Sequence, residues 1–68
     1  MNLHQKVQRH DIDNWVKDTK SIRYQNKWDL FKRQNLQEGD DLWSYSTKNE
    51  QGYAVVRNGK VVSNFKTT

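Results

Sequence analysis

Two hydrophobic periods divide the chain. Ile12, Trp15, Val16, Thr19 and Ile22 follow one another at steps of three and four and so form one stripe of a helix. With Asp11 as its N-cap acceptor, the pattern predicts a helix over about residues 12–22. Tyr24, Trp28 and Phe31 make a second set, which a single continuous helix would turn almost opposite to the first. A break between Ser21 and Lys27 brings both sets to one core, and Asn26 followed by Asp29 reads as a capping box opening a second helix over about residues 27–36. No Gly or Pro interrupts this stretch; the three glycines, Gly39, Gly52 and Gly59, all come later.

From Asp41 the period becomes two. Strands are predicted over Asp41–Thr47, Gly52–Arg57 and Lys60–Phe65, with Asn58-Gly59 as a type I′ hairpin turn and residues 48–51 as a four-residue turn. These turns pair Arg57 with Lys60, Val56 with Val61, Ala54 with Ser63, Tyr45 with Ala54 and Trp43 with Val56. The prediction is an α+β domain spanning residues 1–68: two short N-terminal helices packed on a three-stranded antiparallel β-meander, with residues 1–10 as a flexible tail. Trp43, Tyr45, Ala54, Val56, Val61 and Phe65 share one strand face and are assigned to the core, opposite Ile12, Trp15, Val16, Trp28 and Phe31. The reverse face carries Leu42, Val55 and Val62 beside Tyr53 and Arg57. Unless Leu3 and Val7 cover it, this strip is a candidate protein-binding surface, for a partner protein or for self-association.

Composition narrows the class. A chain of 68 residues, 32% hydrophobic, leaves room for one small domain, and three Trp, three Tyr and two Phe supply the bulk of its core. Without cysteine there is no disulfide framework and no thiolate zinc site. Met1 to Val7 is broken by His4, Gln5 and Lys6, unlike a signal peptide, and no long apolar run follows; a cytoplasmic location without a membrane partner is expected.

The net charge of +4 is unevenly spread. Residues 1–36 hold eight Lys or Arg against four Asp, whereas residues 37–68 hold four of each sign. Lys17, Lys20, Arg23, Lys27, Lys32 and Arg33 are therefore the candidate contacts in the alternative reading, a nucleic-acid-binding protein of weak sequence preference. Tyr24 and Trp28 between them offer rings for base stacking, at a spacing that a core also requires.

Catalytic signatures are weak. His4 and His10 are six residues apart, off the spacing of a helical metal pair, so no metal or cofactor is expected from them with Asp11 and Asp13. Asp40 and Asp41, adjacent on a strand entry, face opposite ways; Asp40 suits the turn near Gly39 as an acceptor for backbone N–H groups. Ser44 and Ser46 lie on one strand face, with no histidine in the predicted sheet to activate them. A non-enzymatic function is expected.

Gly39-Asp40-Asp41-Leu42-Trp43-Ser44-Tyr45-Ser46, with Gly52-Tyr53-Ala54-Val55-Val56-Arg57-Asn58-Gly59-Lys60-Val61-Val62, resembles a group of short uncharacterised bacterial proteins. Their shared core reads G-D-E-L-W-x-F/Y-S-S, then G-Y/I-A-x-V-R-x-G-x-V. The resemblance implies the meander and carries no activity.

Overall fold

A computed structural model describes all residues from Met1 to Thr68. The elements run β1 (Asn2–Val7), α1 (Arg9–Thr19), α2 (Ile22–Asn35), β2 (Asp41–Ser46), β3 (Gln51–Arg57) and β4 (Lys60–Lys66). All strand pairs are antiparallel, in the order β1-β2-β3-β4, and both helices lie on one face. The class is α+β as expected, but the sheet has four strands. Residues 2–7, assigned to a tail, pair with β2, so the helices follow a strand instead of leading the chain.

The helices begin earlier than periodicity suggested. Ser21, extended at φ −66° and ψ 163°, accepts a hydrogen bond from Tyr24 N at 3.2 Å and so caps α2 where Asn26 was expected to. Gln8, not Asp11, stands at the N-cap position of α1 and makes no side-chain cap bond. Ile22 consequently falls on the outside of α2, 70% exposed.

The core inverts the expected sheet face. Leu42 and Val55 are buried beneath Ile12, Val16 and Trp28, with Val7, Trp15, Tyr24, Phe31, Tyr53 and Phe65 packed around them. Trp43, Val56 and Val61 lie on the side that the helices do not cover, together with Tyr45 and Ala54, as their strand positions and pairings require. The helices bring Trp15, Tyr24, Trp28 and Phe31, and these rings pack with Tyr53 and Phe65 of the sheet around Leu42 and Val55.

Phe65 reaches the core through a bulge. Pairing runs Arg57 with Lys60 and Val56 with Val61, then jumps to Val55 with Ser63, so Val62 is an extra residue that bulges from the edge. The jump replaces the expected pairing of Ala54 with Ser63 and turns Phe65 to Tyr53's side. There its ring centroid stands 5.1 Å from Trp28 and 5.2 Å from Phe31. Asn58 (φ 52°) and Gly59 (φ 76°) both take positive φ, as the type I′ turn requires. In the other hairpin, Thr47 N donates to Glu50 O at 2.8 Å, while Thr47 Oγ1 accepts from Asn49 N and Glu50 N. The turn closes one step tighter, so Trp43 pairs with Ala54 and Tyr45 with Gly52.

One buried polar atom lacks a partner. Tyr24 Oη is enclosed without a hydrogen bond, and burial followed by proximity to Tyr53 pushes its pKa above the ordinary value. Its ring makes edge contacts with Trp15 and Phe65 that phenylalanine would keep. Tyr24→Phe is therefore expected to raise the unfolding free energy by about 1 kcal/mol, read from urea melts at neutral pH.

Candidate functional site

The strip expected to bind protein is mostly interior. Leu42 (4% exposed) and Val55 (0%) are core residues, and Tyr53 packs against the core, so none of them forms an open contact surface. Only Val62, at the bulge and 46% exposed, is free. Arg57 is engaged elsewhere: Nε and Nη2 hold Asp40 Oδ1 and Oδ2 at 2.9 and 2.7 Å, and Nη2 also reaches the carbonyl of Asn35. Gln37 N donates to Asp40 Oδ2 at 2.9 Å, so Asp40 does serve the turn beside Gly39. Its side chain is only 3% exposed. This fork ties the end of α2 to the end of β3 and is a structural clamp.

A second carboxylate joins the helices. Asp13 Oδ1 accepts from Trp28 Nε1 and from Lys32 Nζ, each at 2.7 Å. Burial raises the Asp13 pKa, but the hydrogen bonds from Lys32 and Trp28, with the charges of Lys32 and Arg9, outweigh it and leave the pKa below 3.8. Asp40 is lowered likewise, first by the Arg57 hydrogen bonds, then by the Gln37 N–H. A depressed carboxylate contributes stability that is complete above the unfolded-state value and is lost as pH falls through the folded-state value. The domain is therefore expected to lose stability as pH falls below about 4. Asp13→Asn and Asp40→Asn should each be less stable than the parent at pH 7 and lose less on going to pH 3, measured as urea midpoints.

The six basic residues divide. Lys32 is committed to Asp13 and Asp29, its side chain 13% exposed. Lys20 lies over the Trp15 and Tyr24 rings, at 4.8 and 5.2 Å from their centroids. Arg23, Lys27 and Arg33 are exposed on α2 around a ridge of Ile22, Asn26 and Leu30, and Lys17 is exposed on α1. None of these four makes an ion pair within the chain, where Lys6, Arg9, Lys32, Arg57 and Lys66 do. Base stacking by Trp28 is excluded by its 1% exposure, and Tyr24 is turned inward among Trp15 and Phe65.

Sequence reasoning missed a histidine beside the strand serines. His4, the residue skipped where β1 shifts register against β2, sets Nε2 at 2.6 Å from Ser46 Oγ, and Ser44 Oγ bonds the Gln5 backbone. A Ser–His contact is one element of a nucleophile. No carboxylate bonds the second ring nitrogen, and the pair lies on the open end of the sheet, where it anchors the β1 irregularity. His10 meets only Asp11, at 3.4 Å on an exposed helix turn. Asp41 pairs with Lys6 at 3.1 Å and stands apart from the Asp40 clamp.

The largest surface that sequence reasoning placed inside is the helix-free sheet face. Trp43 is half-buried, Val56 half-buried, Leu3 39% and Val61 43% exposed, and they surround Ala54. Tyr45 lies flat enough to be 2% exposed: its Oη donates to Glu50 Oε1 at 3.1 Å and accepts from Asn64 Nδ2 at 3.0 Å, reaching across Gly52. Burial is the main reason its pKa is raised. The signal was present in the sequence for Trp43, Tyr45, Ala54, Val56 and Val61, which share one face in either register; Leu3, expected in the tail, joins them only through its pairing with Tyr45. What was absent was any mark of which face the helices take.

No helix is long and apolar enough to cross a membrane. The chain matches no protein-family model, no curated protein and no solved structure, so its function is read from geometry.

Proposed function

We propose that this is a small non-enzymatic domain acting through protein–protein contact, and that its contact surface is the sheet face left bare by the helices. The supporting observation is the partly exposed Trp43 with Leu3, Val56 and Val61 around it, an aromatic and aliphatic patch on a chain of mean hydropathy −1.24. Aromatic anchors ringed by aliphatics are what protein interfaces enrich. A photo-reactive amino acid at Val61 should form protein adducts in cells, and one at Lys17 on α1 should not. Adducts confined to the Lys17 probe, or none at either, would overturn the proposal.

The unpaired Lys17, Arg23, Lys27 and Arg33 support a second reading, electrostatic binding of nucleic acid by the helical layer. It predicts that labelled DNA or RNA binds at low salt, releases steeply as salt rises, and is lost on Arg23→Glu with Lys27→Glu. No binding at low salt eliminates it.

A further inference from the structure

We infer that the partner on the bare sheet face is a second copy of this chain, the two sheets packing face to face with the helical layers outward. This rests on the proposal that this face is the contact surface, and three further observations carry it to a self-complementary partner.

The first is charge. The whole chain is basic, but this face is balanced: Lys6 pairs with Asp41 at 3.1 Å, and Lys66 stands 4.0 Å from Glu50. Of the cations without an ion pair, Lys17, Lys20, Arg23, Lys27 and Arg33 belong to the helical layer on the far side of the sheet, Lys60 lies opposite Arg57 at the β3–β4 turn, and Lys48 stands in the β2–β3 turn. Two copies can thus meet here without setting their excess charges against each other.

Symmetry is the second. By strand register, Lys6 on β1 and Asp41 at the start of β2 lie toward one corner of the sheet, and Glu50 in the β2–β3 turn with Lys66 at the end of β4 toward the diagonally opposite one. A two-fold axis lying in the interface along the opposite diagonal exchanges these corners. Lys6 of each copy then faces Glu50 of the other, and Asp41 faces Lys66. Such an axis crosses the strands of the two sheets near a right angle, one of the two ways in which sheets pack.

Area and need supply the third. Strands spaced about 4.8 Å apart and rising about 3.3 Å per residue give a face of roughly 400 Å². Relief from side chains brings the surface covered on two copies to about 1,000 Å², where specific interfaces begin. The monomer buries only seven hydrophobic residues, and it has no disulfide. Association is a common way for a chain this small to enlarge its core. Trp43 and Ala54 lie near the middle of the face, Leu3 and Val61 toward its edges.

Sedimentation of the purified chain from low micromolar to millimolar concentration tests this. The expected result is a shift from 8.2 kDa to twice that mass, with a blue-shifted and less quenchable Trp emission as Trp43 is covered. Val61→Lys and Leu3→Lys change exposed side chains; each should keep the parent circular dichroism spectrum and weaken the dimer at least tenfold. A parent that stays at 8.2 kDa to millimolar concentration overturns the second copy. So does a dimer that both variants leave intact. If the Val61 photo-adduct then carries a foreign protein, the face remains a contact surface and only the identity of its partner fails. If it carries no protein, both fail.

Discussion

Trp28→Ala should leave the domain largely unfolded at room temperature. The indole is 1% exposed, stacks on Phe31 at 5.8 Å, meets Phe65 at 5.1 Å and Tyr53 at 6.4 Å, and donates to Asp13. Truncation opens a cavity where both helices and the sheet meet, at about 3–5 kcal/mol, and takes a donor from a carboxylate that also holds Lys32. So small a domain has little more than that to lose. Circular dichroism melts of Trp28→Ala and Trp28→Phe separate the two contributions: the Phe variant keeps most of the volume and should retain a cooperative transition. A Trp28→Ala protein melting like the parent would show that the helices are held by something other than this contact.

Gly52→Ala should be nearly as damaging, although it adds only a methyl group. Gly52 faces Tyr45 across β2 and Lys66 across β4, and a Cβ there would stand 2.8 Å from Tyr45 Cε1 and 3.0 Å from Lys66 Cα, in collision with the Phe65 carbonyl as well. Two of these neighbours are backbone, so rotating a side chain does not relieve the clash. Either β4 moves off or the Tyr45 ring lifts and surrenders Glu50 and Asn64. The expected loss is about 3 kcal/mol, the upper part of the usual range for overpacking. Urea melts measure it, and the heteronuclear NMR spectrum should show shifts centred on Tyr45, Phe65 and Lys66. Gly59→Ala makes a useful contrast: no atom lies within 4 Å of the added group, and only the positive φ of 76° opposes it.

The local features of the fold were legible because they are chosen locally. Asn58-Gly59 can make the tight hairpin with few competitors, and the grouping of Trp43, Tyr45 and Ala54 on one face survived a register error, because the slip was two residues and the side-chain period is also two. Choices settled by packing were not legible. Both sheet faces carry large apolar residues, so the pattern could not say which one the helices cover. That depends on fitting Trp15, Trp28 and Phe31 against Leu42 and Val55. The extra residue at Val62 is decided by whether Phe65 gains more under Trp28 than the ladder loses. β1 was missed because Leu3 and Val7 are its only apolar residues, and just Val7 reaches the core. Of the candidate residues, the exposed cations Arg23, Lys27 and Arg33 were found by charge alone, whereas Lys32 differs from them only through Asp13, a tertiary contact. Of the six residues expected on one core face, Trp43, Tyr45, Ala54, Val56 and Val61 do share a face, the bare one, whereas Phe65 crosses to the helix side through the bulge at Val62.

The placement of β1 governs the order in which the molecule comes apart. β2, β3 and β4 are joined by tight turns, but β1 pairs across both helices, Asn2 meeting Ser46 and Val7 meeting Leu42. Its hydrogen bonds close the longest loop in the sheet, and nearly all its side chains are exposed. In native-state hydrogen exchange its amides should therefore open with a smaller free energy than those of β3, where Ala54 and Val55 lie at the centre. Opening at that edge removes Leu3 from the bare face and His4 from Ser46, and it exposes one side of β2 to any strand that can pair with it.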